Sequence, residues 1–317
     1  MGLLVDGVWH DNWYDTGKTG GAFVRTDAQF RDRITADGSS GFLAEPGRYH
    51  LYVSLACPWA SRAVIYRALK GLQPLIGMTV VDPLMLERGW VFSAEDPDPL
   101  LHAEALSEIY VAARPGYSGR VTVPVLWDKQ RRTIVCNESS EIIRMFDTAF
   151  DAVGADASVH FYPAALAAEI DALNAAIYDR VNNGVYKAGF ATKQAPYEAG
   201  CTALFAELDR LETLLATRRF LCGPQVTEAD WRLFTTLVRF DAVYYGHFKC
   251  NLRHLWDYPN LWGYTRDLYA VPGIAQTVNL DHIKRHYYVS QRTINPSQVV
   301  PMGPMIDFAA PSDRARL

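Results

Sequence analysis

The sequence predicts a chain in two parts, an α/β domain followed by an all-helical domain. The first part contains a strand–turn–helix–strand unit at residues 48–83, with Cys57 in the turn. Beyond about residue 150, apolar residues recur three and four positions apart, which is the spacing of an amphipathic helix. The length of 317 residues is sufficient for two domains that each bury a core.

The composition indicates an ordinary globular enzyme. Charged residues make up 21% of the chain and hydrophobic residues 49%. The net charge of −4 does not favour nucleic-acid binding, and no apolar run approaches the ~20 residues of a membrane span. Five widely spaced cysteines favour a reducing compartment over a disulfide framework. Residues 1–7 lack the pattern of a secretory signal, so we expect a cytoplasmic protein.

Residues 1–45 show little periodicity and predict an extended, partly ordered N-terminal arm. They are rich in Gly, Asp and Thr, and they also contain Trp9 and Trp13. Side chains of this size are highly buried on average, so we expect the arm to pack on the rest of the protein. The α/β domain is then expected at residues 46–150.

Cys57 is the candidate nucleophile. It follows an apolar strand, and Pro58 suits the first position of the next helix. The dipole and free N–H groups of a helix N-terminus stabilise a thiolate and so lower the pKa of a thiol there. Ala60 stands where a dithiol motif has its second cysteine, so Cys57 needs an external thiol to complete a cycle. The alternative is an inert, buried cysteine that happens to precede a helix.

The helix after Cys57 is expected to end near Gly71, because glycine suits the turn that ends a helix. Residues 74–83 predict a second strand that is stopped by Pro83. A strand–helix–strand unit of this kind builds a parallel pair with a right-handed connection. An irregular insertion follows, and then a helix at about residues 102–113.

Two further strands are expected at residues 120–128 and 133–136, joined by a charged turn. Pro124 marks the start of a strand, an edge position or a cis bond, because proline cannot donate to a sheet ladder. A helix is expected to begin near Glu138 and Ser139, and its N-terminus is suited to bind a carboxylate. The alternative is a common helix start that is rich in acids and hydroxyls.

Two apolar stripes predict helices in the second half. They consist of Leu166, Ile170, Leu173 and Ile177, and of Leu204, Leu208, Leu211 and Leu215. A loop is expected at the Asn-Asn-Gly of residues 182–184. Residues 227–230 predict a capping box, and residues 259–269 a short helix. The helical domain is expected at residues 151–290, followed by an irregular tail at 291–317.

No metal site is expected. His282 and His286 are four residues apart, and so are Cys250 and His254, but neither pair has obvious further ligands. A closed zinc site needs four ligands. We interpret both pairs as ordinary helix or surface residues.

Taken together, these motifs resemble those of the cytosolic glutathione transferases, and more narrowly the glutathionyl-hydroquinone reductases of the xi class. The matching segments are YHLY at 49–52, CPWA at 57–60, GW at 89–90, RVTVPV at 120–125, NES at 137–139, VNNGVYKAGFA at 181–191, HYY at 286–288 and TINP at 293–296. The resemblance covers nearly the whole chain. It implies a thioredoxin-like N-terminal domain followed by a helical glutathione-transferase C-terminal domain.

By this resemblance, we expect an enzyme that reduces S-glutathionyl-hydroquinones to hydroquinones, with glutathione as co-substrate and no metal. Cys57 would form a mixed disulfide with glutathione, and a second glutathione would resolve it to glutathione disulfide. Trp90, Arg120, Val123, Pro124, Glu138 and Ser139 are expected to bind glutathione, and Tyr186 and Tyr287 to face the aromatic co-substrate. A homodimer is expected, without nucleic-acid or membrane partners.

These roles suit the chemistry of the residues. The backbone N–H and C=O of Val123 can pair with the tripeptide as an added strand does. Ser139 and the helix N–H groups can bind the γ-glutamyl carboxylate, and Glu138 the ammonium. Trp90 either stacks on the ligand or fills a core. Tyr186 and Tyr287, interpreted as loop-borne, either line the pocket or pack with satisfied hydroxyls.

Two other functions remain open. A general thiol transferase or dehydroascorbate reductase would use the same Cys57 on different substrates. A non-catalytic binding module with a transferase fold would not need an activated Cys57. Thiolate-selective alkylation separates the binding module from the enzymes, and substrate profiling separates the two kinds of enzyme.

Overall fold

The computed structural model describes residues 2–317 and divides into two compact units. The first unit contains the residues up to Trp13 together with Thr26–His160. The second contains Tyr14–Arg25 and Phe161–Leu317. Among the helices of residues 2–317, none combines the length and the apolar character that a membrane crossing needs.

The first unit is an α/β structure. In chain order its strands and helices are β1 (Leu3–Val5), β2 (Val8–His10), β3 (Ile34–Thr35), β4 (Phe42–Leu43), β5 (Tyr49–Val53), α1 (Pro58–Leu69), β6 (Ile76–Val80), α2 (Leu106–Ala113), β7 (Gly119–Arg120), β8 (Val125–Asp128), β9 (Thr133–Cys136) and α3 (Ser139–Thr148). The main sheet has the strand order β6-β5-β8-β9. A smaller sheet has the order β2-β1-β7, and β3 pairs with β4.

The predicted strand–helix–strand unit is confirmed. Strand β5 is buried along its whole length, pairs in parallel with β6 and pairs antiparallel with β8. Helix α1 begins at Pro58, as expected, and packs against α3. Gly71 follows the end of α1 with a φ of +63°, a left-handed conformation that favours glycine. Cys57 is therefore held between a central strand and the first turn of a packed helix.

Two boundaries differ from the prediction. The strand expected at residues 120–128 is interrupted, because β7 belongs to the smaller sheet and β8 begins only at Val125, after a cis Val123–Pro124 peptide. The helix expected from residue 102 begins at Leu106. His102 has a φ of +55°, which is outside the right-handed helical region, so the helix cannot include it.

The second unit is helical. Its helices are α4 (Ala167–Ile177), α5 (Gly184–Gly189), α6 (Gln194–Leu215), α7 (Glu228–Leu237), α8 (Pro259–Tyr269) and α9 (Leu280–Ser290), with π-helical turns at Tyr178–Asn182 and Phe240–Tyr244. The leucine stripe of α6 is buried, as predicted. The capping box between Thr227 and Asp230 is present at the start of α7, and α8 has the predicted bounds.

The loop predicted at residues 182–184 is wrong. The chain passes from the π-helical turn directly into α5. The side chain of Asn182 donates to the Arg232 carbonyl over 3.0 Å and to the Thr236 hydroxyl over 2.8 Å, so it binds α7 instead of capping a local turn. Hydrogen bonds from a distant helix therefore override the turn propensity of Asn-Asn-Gly.

Part of the N-terminal arm belongs to the second unit. The carbonyl of Gly21 accepts a hydrogen bond from the Thr192 backbone N–H over 3.0 Å. The hydroxyls of Thr16 and Thr192 lie 3.0 Å apart, and Phe23 is buried.

Near the other end of the chain, the buried Arg314 donates to the carbonyl of Leu215 at the end of α6. The predicted domain boundaries at residues 45, 150 and 290 stay predictions.

Candidate active site

Cys57 occupies the N-cap of α1 with extended dihedral angles, φ −78° and ψ 122°. Its carbonyl accepts the first helical hydrogen bond from Ser61, over 3.0 Å. Its side chain is half-buried, and its thiol points to the carbonyl of Val123, with 3.6 Å between Sγ and O. The thiol is thus positioned by the helix start on one side and by the residue before the cis-proline on the other.

The other cysteines have a different environment. Cys136, Cys201, Cys222 and Cys250 are all buried. Burial raises the pKa of each of these thiols, to about 11 for Cys222. They are therefore protonated and poorly nucleophilic at neutral pH. Cys136, which adjoins the Asn-Glu-Ser motif, is such a buried thiol.

A buried tyrosine supports the Val123–Pro124 segment. The hydroxyl of Tyr110 donates to the Thr122 carbonyl over 2.8 Å and accepts from the side chain of Asn137 over 3.0 Å. It therefore connects the residue before Val123 to the segment that begins α3. Sequence reasoning missed Tyr110, because nothing in the local pattern of α2 indicates a contact with either segment.

The N-terminus of α3 brings together Glu138, Ser139 and an arginine from α1. The Glu138 carboxylate caps the helix by accepting from the Ser140 N–H over 3.0 Å and from its hydroxyl over 2.8 Å. Ser139 is buried, and its hydroxyl accepts from Arg62 over 3.3 Å. Arg62 is only 1% exposed, and its guanidinium lies 4.6 Å from the ring centroid of Trp59. A buried cation beside the N-terminus of a helix suits a carboxylate.

Trp90 and Arg120 lie in other parts of the first unit. Trp90 is 6% exposed, and its carbonyl accepts from the Leu106 N–H over 2.9 Å at the start of α2. Arg120 lies in β7, paired with Leu3, and its side chain donates to the Asn12 carbonyl over 2.5 Å. The burial of Trp90 suits the core interpretation, and the Arg120 side chain contacts the N-terminal arm at Asn12.

The second unit contains a cluster of three phenols. Tyr186 lies in α5 and Tyr287 in α9, so the interpretation of both as loop-borne is wrong. Their hydroxyl oxygens are 2.5 Å apart. The hydroxyl of Tyr244, from the second π-helical turn, lies 3.1 Å from that of Tyr287. The sequence carries no signal for Tyr244, because only the packing of three separate helical segments brings these residues together.

The hydroxyls of Tyr244 and Tyr287 remain protonated at neutral pH. Tyr244 and Tyr287 are completely buried, and burial raises the pKa of both hydroxyls well above the ordinary value. The nearby charge of Arg239 opposes this effect without overcoming it. Such phenols can act as hydrogen-bond donors to a developing negative charge. Within residues 2–317, no group of three or more His, Cys, Asp or Glu side chains is placed to bind a metal ion.

Two family models match the chain. The glutathione S-transferase N-terminal domain matches residues 56–149, and the glutathione S-transferase C-terminal domain matches residues 194–267. Cys57, Val123 and Ser139 fall within the first match. Tyr186 and Tyr287 fall outside both.

Known proteins resemble the chain over its whole length. It is 57% identical to glutathionyl-hydroquinone reductase YqjG of Escherichia coli, with 99% of this chain and 98% of that protein covered. It is 52% identical to glutathionyl-hydroquinone reductase PcpF of Sphingobium chlorophenolicum, with 96% of each chain covered.

Solved structures show the same similarity. The glutathione-bound structure of the E. coli protein superimposes with a TM-score of 0.92 at 53% identity, over 99% of both chains. A xi-class glutathione transferase of Natrialba magadii superimposes with a TM-score of 0.93 at 46% identity, over 100% of this chain and 97% of that one.

Proposed function

Because this chain belongs to the glutathione S-transferase family and, within it, to the glutathionyl-hydroquinone reductases of the xi class, we propose that it reduces S-glutathionyl-hydroquinones to hydroquinones with glutathione as co-substrate. The observation that carries the proposal is the half-buried Cys57 thiol at the start of α1, beside the Val123 carbonyl. The four other thiols are buried and have raised pKa values, so they are unsuited to this chemistry.

Glutathione is proposed to bind along Val123 and the N-terminus of α3. The N–H and C=O of Val123, next to Pro124, pair with the cysteinyl part of the tripeptide like a short strand. Ser139 and the helix N–H groups bind the γ-glutamyl carboxylate, with the charge of Arg62 behind Ser139. Glu138 binds the ammonium. Trp90 and Arg120 are also proposed to bind glutathione, and for these two residues the support is the family resemblance alone.

The reaction is proposed to proceed in two exchange steps. The Cys57 thiolate attacks the thioether sulfur of the substrate, and a Cys57–glutathione disulfide forms as the sulfur–carbon bond breaks. The electron pair of that bond passes to the aromatic fragment, which takes up a proton and leaves as hydroquinone. The thiolate of a second glutathione then attacks the glutathione sulfur, which gives glutathione disulfide and regenerates the Cys57 thiolate.

Departure of the aromatic fragment is the difficult part, because an aryl anion is a prohibitive leaving group. If the substrate first shifts to its keto tautomer, the sulfur-bearing carbon lies next to a carbonyl, and the developing charge resides on oxygen. Hydrogen-bond donors then stabilise that charge. We assign this role to Tyr186 and Tyr287. With Tyr287 donating to Tyr186, the proton of Tyr186 is available to the substrate oxygen.

An experiment on the intermediate tests the proposal. The enzyme is given one equivalent of an S-glutathionyl-hydroquinone and no free glutathione. Since Ala60 cannot resolve a mixed disulfide, we expect intact-mass measurement to show one glutathione on the protein, and peptide mapping to place it on Cys57. Release of hydroquinone from protein that stays unmodified would contradict a covalent step.

General thiol transfer is the competing proposal, because it needs only Cys57 and the glutathione site. Substrate profiling with a glutathione mixed disulfide, dehydroascorbate and an S-glutathionyl-hydroquinone separates the two. We expect the hydroquinone thioether to have the highest kcat/KM. A strong preference for dehydroascorbate would favour the competing proposal.

We also propose that the protein is a cytoplasmic homodimer. The odd number of cysteines, none of them in a disulfide within residues 2–317, supports a reducing compartment. The dimer follows from the family resemblance, and light scattering after size exclusion tests it. A mass of one chain at micromolar concentration would exclude the dimer.

A further inference from the structure

A cation from the N-terminal arm lies against the ring of Tyr186. The guanidinium carbon of Arg25 is 4.9 Å from the ring centroid of Tyr186, which is within the range of a cation–π interaction. Its Nε donates to the side-chain oxygen of Asn183 over 3.1 Å. Asn183 directly precedes α5, and its carbonyl accepts the backbone N–H of Tyr186 over 3.1 Å. Arg25 thus contacts both the ring of Tyr186 and the start of its helix.

The arm holds Arg25 in this position through its own packing. Phe23, two residues earlier, is buried and packs edge-on against Tyr14 and Phe190, with centroid distances of 4.8 and 5.1 Å. The guanidinium of Arg25 also lies 5.3 Å from the ring centroid of Phe23. The half-buried arginine is therefore fixed between two rings and an amide.

A cation in this position changes the chemistry of a phenol. Positive charge over the ring face is attracted by the π electrons and draws electron density from the ring. The hydroxyl of that ring becomes a stronger donor toward a partner that gains negative charge. The orientation of the ring is also fixed, because the guanidinium is bound to Asn183 at the same time.

We propose that Arg25 is a positioning residue for hydroquinone release: it fixes the Tyr186 ring and strengthens its hydroxyl as a donor to the oxygen that becomes charged. The inference rests on the proposed function, in which Tyr186 is that donor. It gives the N-terminal arm a part in the reaction. Arg25 lies outside both segments that the glutathione S-transferase family models match. When the substrate is a glutathione mixed disulfide, attack by Cys57 releases a thiolate, and this step needs no such donor.

The test uses the full-length enzyme with three single variants. Arg25→Gln removes the cation, and Arg25→Lys keeps the charge but loses the planar fork that reaches Asn183. Arg253→Gln is the matched control, since Arg253 lies 4.7 Å from the ring centroid of Tyr258 elsewhere in the second unit. We expect Arg25→Gln to lower kcat for hydroquinone release by about 3- to 30-fold, the range of a cation–π contact. Reduction of a glutathione mixed disulfide should be unchanged.

Arg25→Lys should recover part of the lost rate, and Arg253→Gln should retain full activity on both substrates. A loss of the same size on both substrates, or full activity of Arg25→Gln, would overturn the inference. Thermal unfolding of each variant excludes a loss caused by misfolding, and Arg25→Met is the substitute if Arg25→Gln does not fold.

A double-mutant cycle separates this inference from the proposed function. If Arg25 acts through the hydroxyl of Tyr186, Arg25→Gln should cause no further loss in a Tyr186→Phe background. A loss that persists in that background would overturn the inference and leave the role of Tyr186 intact. If Tyr186→Phe alone leaves hydroquinone release unchanged, the proposed role of Tyr186 fails, and the inference fails with it.

Discussion

The half-buried thiol of Cys57 lies at the N-terminus of α1, next to the backbone carbonyl of Val123. A hydroxyl in the same place is a far poorer nucleophile than an activated thiol. We therefore expect Cys57→Ser to abolish turnover, measured as hydroquinone release under saturating glutathione. Cys57→Ala should fold with an unchanged midpoint of thermal unfolding, because the change is small. Near-normal turnover of Cys57→Ser would exclude the monothiol mechanism.

The phenol cluster supports a second prediction. Removal of one donor to a developing oxygen charge typically costs about 10²–10³ in kcat. Tyr186→Phe or Tyr287→Phe should slow hydroquinone release by about this factor, because each breaks the 2.5 Å contact between the two hydroxyls. Reduction of a glutathione mixed disulfide should be nearly unaffected, because a thiolate leaves without such help.

Tyr288→Phe is the matched control for the phenol variants. Its hydroxyl donates to the Ala242 carbonyl over 3.4 Å and takes no part in the contacts between Tyr186, Tyr244 and Tyr287. It should retain hydroquinone release. Equal losses on both substrates for Tyr186→Phe would mean that the tyrosine only shapes its surroundings.

At the scale of elements, α7 begins with an unusually complete cap. The buried Asp230 accepts hydrogen bonds from the Thr227 N–H and hydroxyl, from the Leu221 N–H and from the Tyr264 hydroxyl, over 2.7 to 2.9 Å. Its removal would leave several buried donors unsatisfied, each at a cost of about 1–3 kcal/mol. We expect Asp230→Ala to lower the free energy of unfolding by at least about 3 kcal/mol, as measured by urea denaturation.

The N-cap of α9 provides the comparison for that variant. At this cap the side chain of Asn279 accepts one hydrogen bond, from the His282 N–H over 3.0 Å. Asn279→Ala should therefore cost only about 1 kcal/mol. If the two substitutions destabilise the protein equally, the contacts of Asp230 with Leu221 and Tyr264 contribute little.

Elements were predictable from the sequence where local patterns decide them. Pro58 and the strand before Cys57 indicate the start of α1, and the leucine stripe of α6 follows from its spacing alone. The turn expected at residues 182–184 failed because Asn182 bonds to α7, 50 residues or more away. The same distinction decides which site residues could be predicted. The local sequence indicates Cys57, whereas Arg62, Tyr110 and Tyr244 contact partners that are distant in sequence.

At the scale of the whole molecule, two buried histidines make stability depend on pH. His50 and His247 are about 5% and 4% exposed, and burial lowers the pKa of each from 6.5 to about 4. The unfolded chain therefore binds protons more readily than the folded one below pH 6.5. The stabilisation is complete above that pH and is lost as the pH falls toward 4.

We expect the free energy of unfolding to decrease between pH 6.5 and pH 4, by about 2–3 kcal/mol for each histidine. Urea denaturation at several pH values measures the slope. His50→Gln should reduce this pH dependence, whereas His10→Gln, at an exposed position, should leave it unchanged. A flat profile over this range in the parent protein would contradict the prediction.

The contrast between one half-buried thiol and four buried ones has a practical consequence for labelling. A maleimide or iodoacetamide reagent reacts with thiolates, and burial keeps the thiols of Cys136, Cys201, Cys222 and Cys250 protonated at neutral pH. The unmodified chain therefore offers a single conjugation point, without removal of any cysteine. A fluorophore attached at Cys57 lies beside Val123, where glutathione is proposed to bind. Glutathione that displaces the fluorophore from this space would change the emission, so the labelled and inactive enzyme would measure glutathione binding.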